Sequence, residues 1–299
     1  MIEQLVSIVI PTFNCAHFLS RALQSVLDQT YRNWEALVVD NHSIDNTDDV
    51  VRSFGDKRIR LLKVHNNGVI AVSRNLGIRE AKGRWIAFLD ADDWWATDKL
   101  EVSVAALGQG NDLVYHDLIH VAAKPGVMRR HSIKTWDLHT PKYLDLINHG
   151  NALTNSSVVV RRDLLVEIGG LVEDPDLVGA EDLDCWIRFS RRTDRLLRLP
   201  AAHGYYWIGS GNTSSPARAI VCLSALRRRH MEQDGQPHAD YTPAWLSFAI
   251  GKAHFQLHQY DLAIGELSRI SFATSPIMVF LKAYLFGLMV RLVALRQSA

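Results

Sequence analysis

Apolar, β-branched runs alternate with helical patterns along the first third of the chain. Val6-Ser7-Ile8-Val9-Ile10 ends at Pro11 and reads as a buried strand entering the loop Pro11-Thr12-Phe13-Asn14. Across residues 18–30, Leu19, Leu23, Val26 and Leu27 fall on one side of a helix. Residues 34–39 form a second apolar run, closed by Asp40-Asn41-His42-Ser43. A helix is expected over 47–54, a strand over 58–64, and a helix over 69–82 with Gly83 as its C-cap. Residues 85–89 give the next strand. Such short alternation predicts an α/β fold with an open, mostly parallel sheet flanked by helices. Ligands of such sheets sit beyond the carboxyl ends of the strands. The polar stretches 11–14, 40–43 and 90–93 all lie there.

The fourth run stops in three carboxylates within four positions, Asp90, Asp92 and Asp93. Side chains two apart on an extended chain point the same way, so Asp90 and Asp92 are expected to face one point. Two hard oxygen ligands suit Mn²⁺ or Mg²⁺, with phosphates and water completing the shell. Taken alone, the acids read first as solvated turn residues, with Thr97 or Asp98 starting the next helix. Further on, 112–116 and 151–160 read as strands, 120–140 as loops around a weak strand, and 163–168 as a short helix closed by Gly169-Gly170. Glu181 and Asp182 open an amphipathic helix carrying Leu183, Trp186 and Ile187. The helix dipole alone would favour acids there. Residues 203–207 read as a closing strand and 209–214 as a flexible loop.

The tail has a different pattern. Residues 216–235 read as a basic helix. Small and aromatic residues recur at helical spacing over 243–271, resembling one helix-turn-helix unit of the tetratricopeptide kind. A single such unit cannot bury its own face, so it is expected to pack on the rest of the chain or on a partner. Residues 277–296 are nearly all apolar, with three cations and no acid. Length alone approaches a membrane span, but Lys282 and Arg291 interrupt the apolar run. A helix lying in the membrane interface, with cations reaching the headgroups, fits better. A core or oligomer-contact helix is the alternative.

Composition narrows the function classes. Of 299 residues, 47% are hydrophobic and 22% charged, enough to fill a core, and a net charge of +1 argues against nucleic acid as a partner. Cys15, Cys185 and Cys222 are odd in number and far apart, which fits a reducing compartment. No signal peptide is read in Met1-Ile2-Glu3-Gln4. The loop after the first strand has neither the Gly-x-Gly-x-x-Gly of a dinucleotide binder nor the Gly-Lys-Ser/Thr of a P-loop. It also lacks the Gly-rich basic loop of a sugar nucleotidyltransferase.

Four stretches in order resemble the family 2 glycosyltransferases: residues 7–14, the acidic loop 40–47, the Gly68…Ser73-Arg74-Asn75-Leu76-Gly77 helix and the 83–93 strand and acids. The resemblance implies a GT-A fold, inversion at the transferred sugar, and a nucleotide-sugar donor. Pro11, Phe13, Asn41 and Arg74 would lie around base and ribose, Asp90 on the ribose or metal side, and Asp92 on the metal, Mn²⁺ or Mg²⁺. Asp182, with Glu181 as second candidate, would be the catalytic base. Asn41 stands where the family most often has a second Asp, so a UDP-sugar is favoured but another base stays open. His42 replaces the family's usual Gly. The implied acceptor is a hydroxyl of a glycan or lipid-linked glycan precursor in cell-surface polysaccharide synthesis. The expected organisation is a GT-A domain over 1–215, a helical extension over 216–275 and an apolar basic helix over 276–299. The chain is expected to be cytoplasmic, peripheral on the cytoplasmic membrane face through 276–296. The competing reading is a non-catalytic nucleotide- or glycan-binding module with a helical interaction tail.

Overall fold

The computed structural model describes residues 4–122, 132–133, 135–209, 215–231, 242–272 and 277–297. The first part alternates strand and helix: β1 (Val6–Thr12), α1 (Ala16–Leu27), β2 (Trp34–Asp40), α2 (Thr47–Ser53), β3 (Ile59–Lys63), α3 (Ile70–Glu80) and β4 (Trp85–Phe88). β5 (Trp94–Trp95), α4 (Lys99–Gly108), β6 (Leu113–Ala122), β7 (Ser132–Ile133), α5 (Lys142–His149), β8 (Val159–Arg161), α6 (Arg162–Glu167), α7 (Glu181–Ser190) and β9 (Leu196–Ile208) follow. Four helices close the chain: α8 (Pro216–His230), α9 (Ala244–Gln256), α10 (Tyr260–Ser268) and α11 (Ile277–Gln297).

The sheet runs β3-β2-β1-β4-β8-β6-β9-β5, with β7 beside β6. Its first four strands are all parallel, as the alternation predicts. Beyond β4 the sheet is mixed: β8 is antiparallel to both β4 and β6, whereas β6 and β9 are parallel. Antiparallel neighbours need no helical crossover, which is why periodicity in the middle of the chain is hard to read. Side chains of successive residues leave opposite faces of the sheet. Val9, Leu37, Ile86 and Phe88 join one core with α3, α5, α7, α8 and α9. Ile8, Ile10, Val38 and Ala87 join the other with α1, α2 and α4.

Three local expectations change. Residues 155–157 form a 3₁₀ turn, so the strand expected over 151–160 shrinks to β8. α3 ends at Glu80, with Ala81 already extended, so Gly83 is not its cap. Gly83 instead passes close to β1. Its N–H donates to Ser7 Oγ, and a Cβ there would stand 2.7 Å from the backbone of Leu5 and Ser7. The acids after β4 are not extended either. Asp93 N donates to Asp90 O at 3.0 Å, closing a turn, so strand alternation is not what aims Asp90 and Asp92. The loop expected over 209–214 lies outside the described residues beyond Gly209, as does the end of the basic helix beyond Met231.

The tail helices are not a separate appendage. Ala225 and Leu226 of α8 and Leu246 and Ile250 of α9 are buried in the same core as α7. α9, α10 and α11 share a third, smaller cluster around Ala244, Ala263, Leu267, Ala283 and Val290.

Candidate active site

The carboxyl ends of β1, β2 and β4 open on one side of the sheet. Pro11 is buried within β1, opposite Val39, and Phe13 just beyond it is 53% exposed. Asp40 ends β2 buried, salt-bridged to Lys63 at 2.6 Å. Asn41 Oδ1 accepts from Asn66 N at 2.8 Å, while its own N–H bonds back to Thr12 O. The amide therefore ties the loop after β2 to the one before α3. His42 holds a left-handed backbone (φ 54°) and stacks on His65, ring centroids 3.7 Å apart.

Arg74 stands at the centre. Its side chain is buried; Nη2 donates to Asp90 Oδ1 at 2.8 Å and Nη1 to Glu181 Oε1 at 2.6 Å. With the Asn155 amide oxygen turned toward it, Nε and Nη2 also reach that oxygen at 2.9 and 3.0 Å. Burial pulls its pKa down, but the charges of Asp90 and Glu181 outweigh this and raise it. The resemblance puts Arg74 near base and ribose; the structure spends its guanidinium on protein groups, joining the strand-end acids to the start of α7.

Three acids after β4 have three settings. Asp93 is buried, accepting from Ser156 Oγ at 2.6 Å and Trp207 N at 3.0 Å. Burial and the neighbouring Asp90 push its carboxyl well above the usual range. Ser156 Oγ in turn accepts from Asp90 N at 3.1 Å, so the whole turn is pinned to the 3₁₀ turn and to β9. Arg21 of α1 braces the other side. It donates to Asp92 O at 2.9 Å and lies over the Trp94 ring at 3.6 Å. Asp92 is pushed up to about 6 by burial and by Asp90. Two carboxylates that repel in one half-buried place suit a divalent cation whose remaining ligands are phosphates and water. No group of three or more His, Cys, Asp or Glu is gathered for a metal among the described residues.

At the far side, Glu181 and Asp182 begin α7. Both Glu181 oxygens are engaged, by Arg74 and by Gly179 N at 2.6 Å. Asp182 accepts from Leu183 N at 2.7 Å and from Asn151 Nδ2 at 2.9 Å. Burial and then the Glu181 charge push its carboxyl up to about 7, against the pull of Arg74. Tyr206 of β9 ties the halves together electrostatically. Burial and then Asp93, Asp90, Asp92 and Asp182 push its phenol up to about 12. Arg74 thus links the acids of the two sides through Asp90 and Glu181. Arg21, Asn151, Asn155, Ser156 and Tyr206 carry no motif of their own, whereas Asp93 is the third acid of the 83–93 stretch. His203 pairs with Asp98 at 3.1 Å and packs edge-on to His116.

Residues 7–169 match the family model described as glycosyl transferase family 2. The chain belongs to that family. Among relatives, it is 45% identical over 111 residues to WfgD of Escherichia coli, a UDP-Glc:alpha-D-GlcNAc-diphosphoundecaprenol beta-1,3-glucosyltransferase, covering 37% of this chain and 44% of WfgD. The match thus spans less than half of that relative's length. It is 29% identical over 197 residues to TuaG of Bacillus subtilis, a putative teichuronic acid biosynthesis glycosyltransferase, covering 64% of this chain and 73% of TuaG. Among solved structures, S. aureus TarS 1–349 in complex with UDP-GlcNAc has a TM-score of 0.61 at 20% identity, over 88% of this chain and 79% of that one. The mannosyltransferase PcManGT from Pyrobaculum calidifontis, in complex with GDP-Man and Mn2+, has a TM-score of 0.59 at 20% identity, over 97% and 80%. These likenesses show the fold, and the GT-A architecture implied by the family 2 motifs is the one the chain has.

Proposed function

We propose that this family 2 chain is an inverting glycosyltransferase that moves a sugar from a nucleoside-diphosphate donor, a UDP-sugar first among candidates, to a hydroxyl of a lipid-linked glycan precursor. The observation that carries this is the Arg74 bridge, which pairs Asp90 after β4 with Glu181 at the start of α7. Asp182 takes the proton of the attacking acceptor hydroxyl as its oxygen bonds to the anomeric carbon opposite the leaving group. Glu181, both of whose oxygens are engaged, orients Arg74 instead. Asp92 and Asp90 would hold Mn²⁺ or Mg²⁺, which when bound offsets charge on the departing diphosphate. Pro11, Phe13 and Asn41 line the base side. Product names of relatives with UDP-Glc and a diphosphoundecaprenol acceptor support the donor and acceptor classes. A melting-temperature panel of UDP-, GDP- and dTDP-sugars, with and without Mn²⁺, tests the donor. A ligand that binds only the folded state raises the midpoint by mass action. We expect the largest rise with a UDP-sugar plus Mn²⁺; no rise with any sugar nucleotide would refute the reading.

α11 supports work at a membrane surface. Ile277–Leu295 is long and apolar enough to cross a bilayer. Ile277, Leu281, Leu285, Leu288, Leu292 and Leu295 recur at three- and four-residue spacing as one exposed stripe, Leu285, Leu292 and Leu295 each being more than 60% exposed. Ala283 and Val290 on the opposite side are buried against the other tail helices. Lys282 follows Leu281 and Arg291 precedes Leu292, so the two cations flank the stripe on opposite edges. A helix packed on protein along one side, with cations beside its apolar side, lies in the interface rather than across it. Each buried leucine contributes on the order of 2 kcal/mol. The cytoplasmic face is the side that the three free cysteines favour. Full-length protein is expected to sediment with phosphatidylglycerol-containing vesicles, and protein lacking residues 277–297 to stay in the supernatant. Equal partitioning of both forms would remove the membrane from the proposal.

A further inference from the structure

We infer that Asn151 is a positioning residue for the Asp182 carboxylate, and that Trp245 of α9 sets Asn151. This rests on the reading of Asp182 as the base. One Asp182 oxygen is held by its own helix, through Leu183 N at 2.7 Å. The other is held from outside the helix by Asn151 Nδ2 at 2.9 Å. The Asn151 amide cannot turn over freely, because its Oδ1 accepts from Leu153 N at 3.0 Å.

Asn151 hangs from the end of α5, where Gly150 adopts φ 91° and ψ −160°. That conformation is open to glycine and strained for other residues. The space a Gly150 side chain would take is filled by the Trp245 indole, 3.3 Å from the Cβ position. The indole Nε1 also donates to Ile147 O at 2.8 Å, satisfying a carbonyl of the last turn of α5. α9 is itself anchored by Leu246 and Ile250, buried in the core that also holds α7. A chain of direct contacts therefore runs from the tail helices through Trp245 and Gly150 to Asn151 and the carboxylate.

The amide does two things to Asp182. It fixes which lone pairs face the cleft, and it donates to the ionised form, favouring the state a base requires. The charged and titratable groups facing Asp182 are Glu181 and Arg74, Tyr206 of β9 and Cys185 on its own helix. None of these residues is itself replaced by changes at 151 or 245.

The test uses full-length Asn151→Ala, Trp245→Ala and Trp245→Phe. Asp182 titration is followed by carboxyl ¹³C NMR, assigned with Asp182→Asn, and UDP release from UDP-glucose is measured beside it. Asn151→Ala should raise the Asp182 midpoint and lower kcat about tenfold, as expected for loss of a hydrogen bond to a charged group, with donor KM unchanged. Trp245→Ala should move the midpoint the same way. Trp245→Phe, which keeps a ring against Gly150, should move it less. An unmoved midpoint and unchanged kcat in Asn151→Ala would overturn the inference. A lower melting temperature with an unmoved midpoint in Trp245→Ala would reduce Trp245 to packing and overturn its part. Should Asp182→Asn itself keep full activity, the base assignment fails, while the NMR midpoints still read the coupling separately.

Discussion

Asp182→Asn is expected to lower kcat by about 10²–10⁴, the usual span for loss of a general base, with sugar-nucleotide binding retained. Asparagine keeps the shape and the acceptor for Leu183 N, but it cannot take a proton. The wild-type profile should rise with pH on its acid side, pass half-maximum near 7 and level off above it, because burial and Glu181 push the carboxyl up to about 7. Stability should run the other way. The folded carboxyl holds its proton above the unfolded value of about 3.9, so between there and its folded midpoint the native state binds more protons. Stability then falls as pH rises through that window. Above it, Asp182→Asn gains by losing the strained charge, an advantage partly offset because its amide NH2 then faces Asn151 Nδ2. Rate against pH and chemical denaturation at pH 5 and pH 8 give both readings. A variant with wild-type kcat and no acid limb would sink the base assignment.

The same site shows what a sequence carries and what it does not. The acids after β4 and at the start of α7 are legible because short motifs mark them, and β1, β2 and β4 because their largely apolar runs are buried on both faces. Strand alternation does not aim Asp90 and Asp92, however. The chain turns there, and Ser156, Arg21 and Arg74 aim the acids instead. Those partners come from three separate places in the chain, and no local pattern connects them. Arg74 looks like a ligand-facing residue in sequence because its neighbours form a motif; its buried ion pairs are visible only in three dimensions. The 3₁₀ turn at 155–157 sits in a run of small and β-branched residues that fits a strand equally well, so periodicity cannot separate them. The join between tail and catalytic core depends on Leu246, Ile250 and Trp245, whose spacing suits a free-standing helical hairpin just as well.

Arg74→Ala should be the most damaging single change to the fold near the site. The guanidinium is buried between Asp90 and Glu181, and Glu181 is itself buried. Removing one member of a buried ion pair leaves an uncompensated charge and typically costs about 3–5 kcal/mol. Arg74→Lys is not a conservative repair. One ammonium cannot reproduce a planar fork that reaches Asp90, Glu181 and the Asn155 oxygen at once. Arg74→Met combined with Glu181→Gln should recover much of the stability, because both charges leave together, yet donor binding should stay weak with Asp90 no longer held. Urea unfolding of the four proteins at pH 8, paired with calorimetric titration of UDP-glucose and Mn²⁺, separates these effects. Arg74→Ala within about 1 kcal/mol of wild type at pH 8, well below the span for a broken buried pair, would show that the bridge does not hold the two halves of the cleft together.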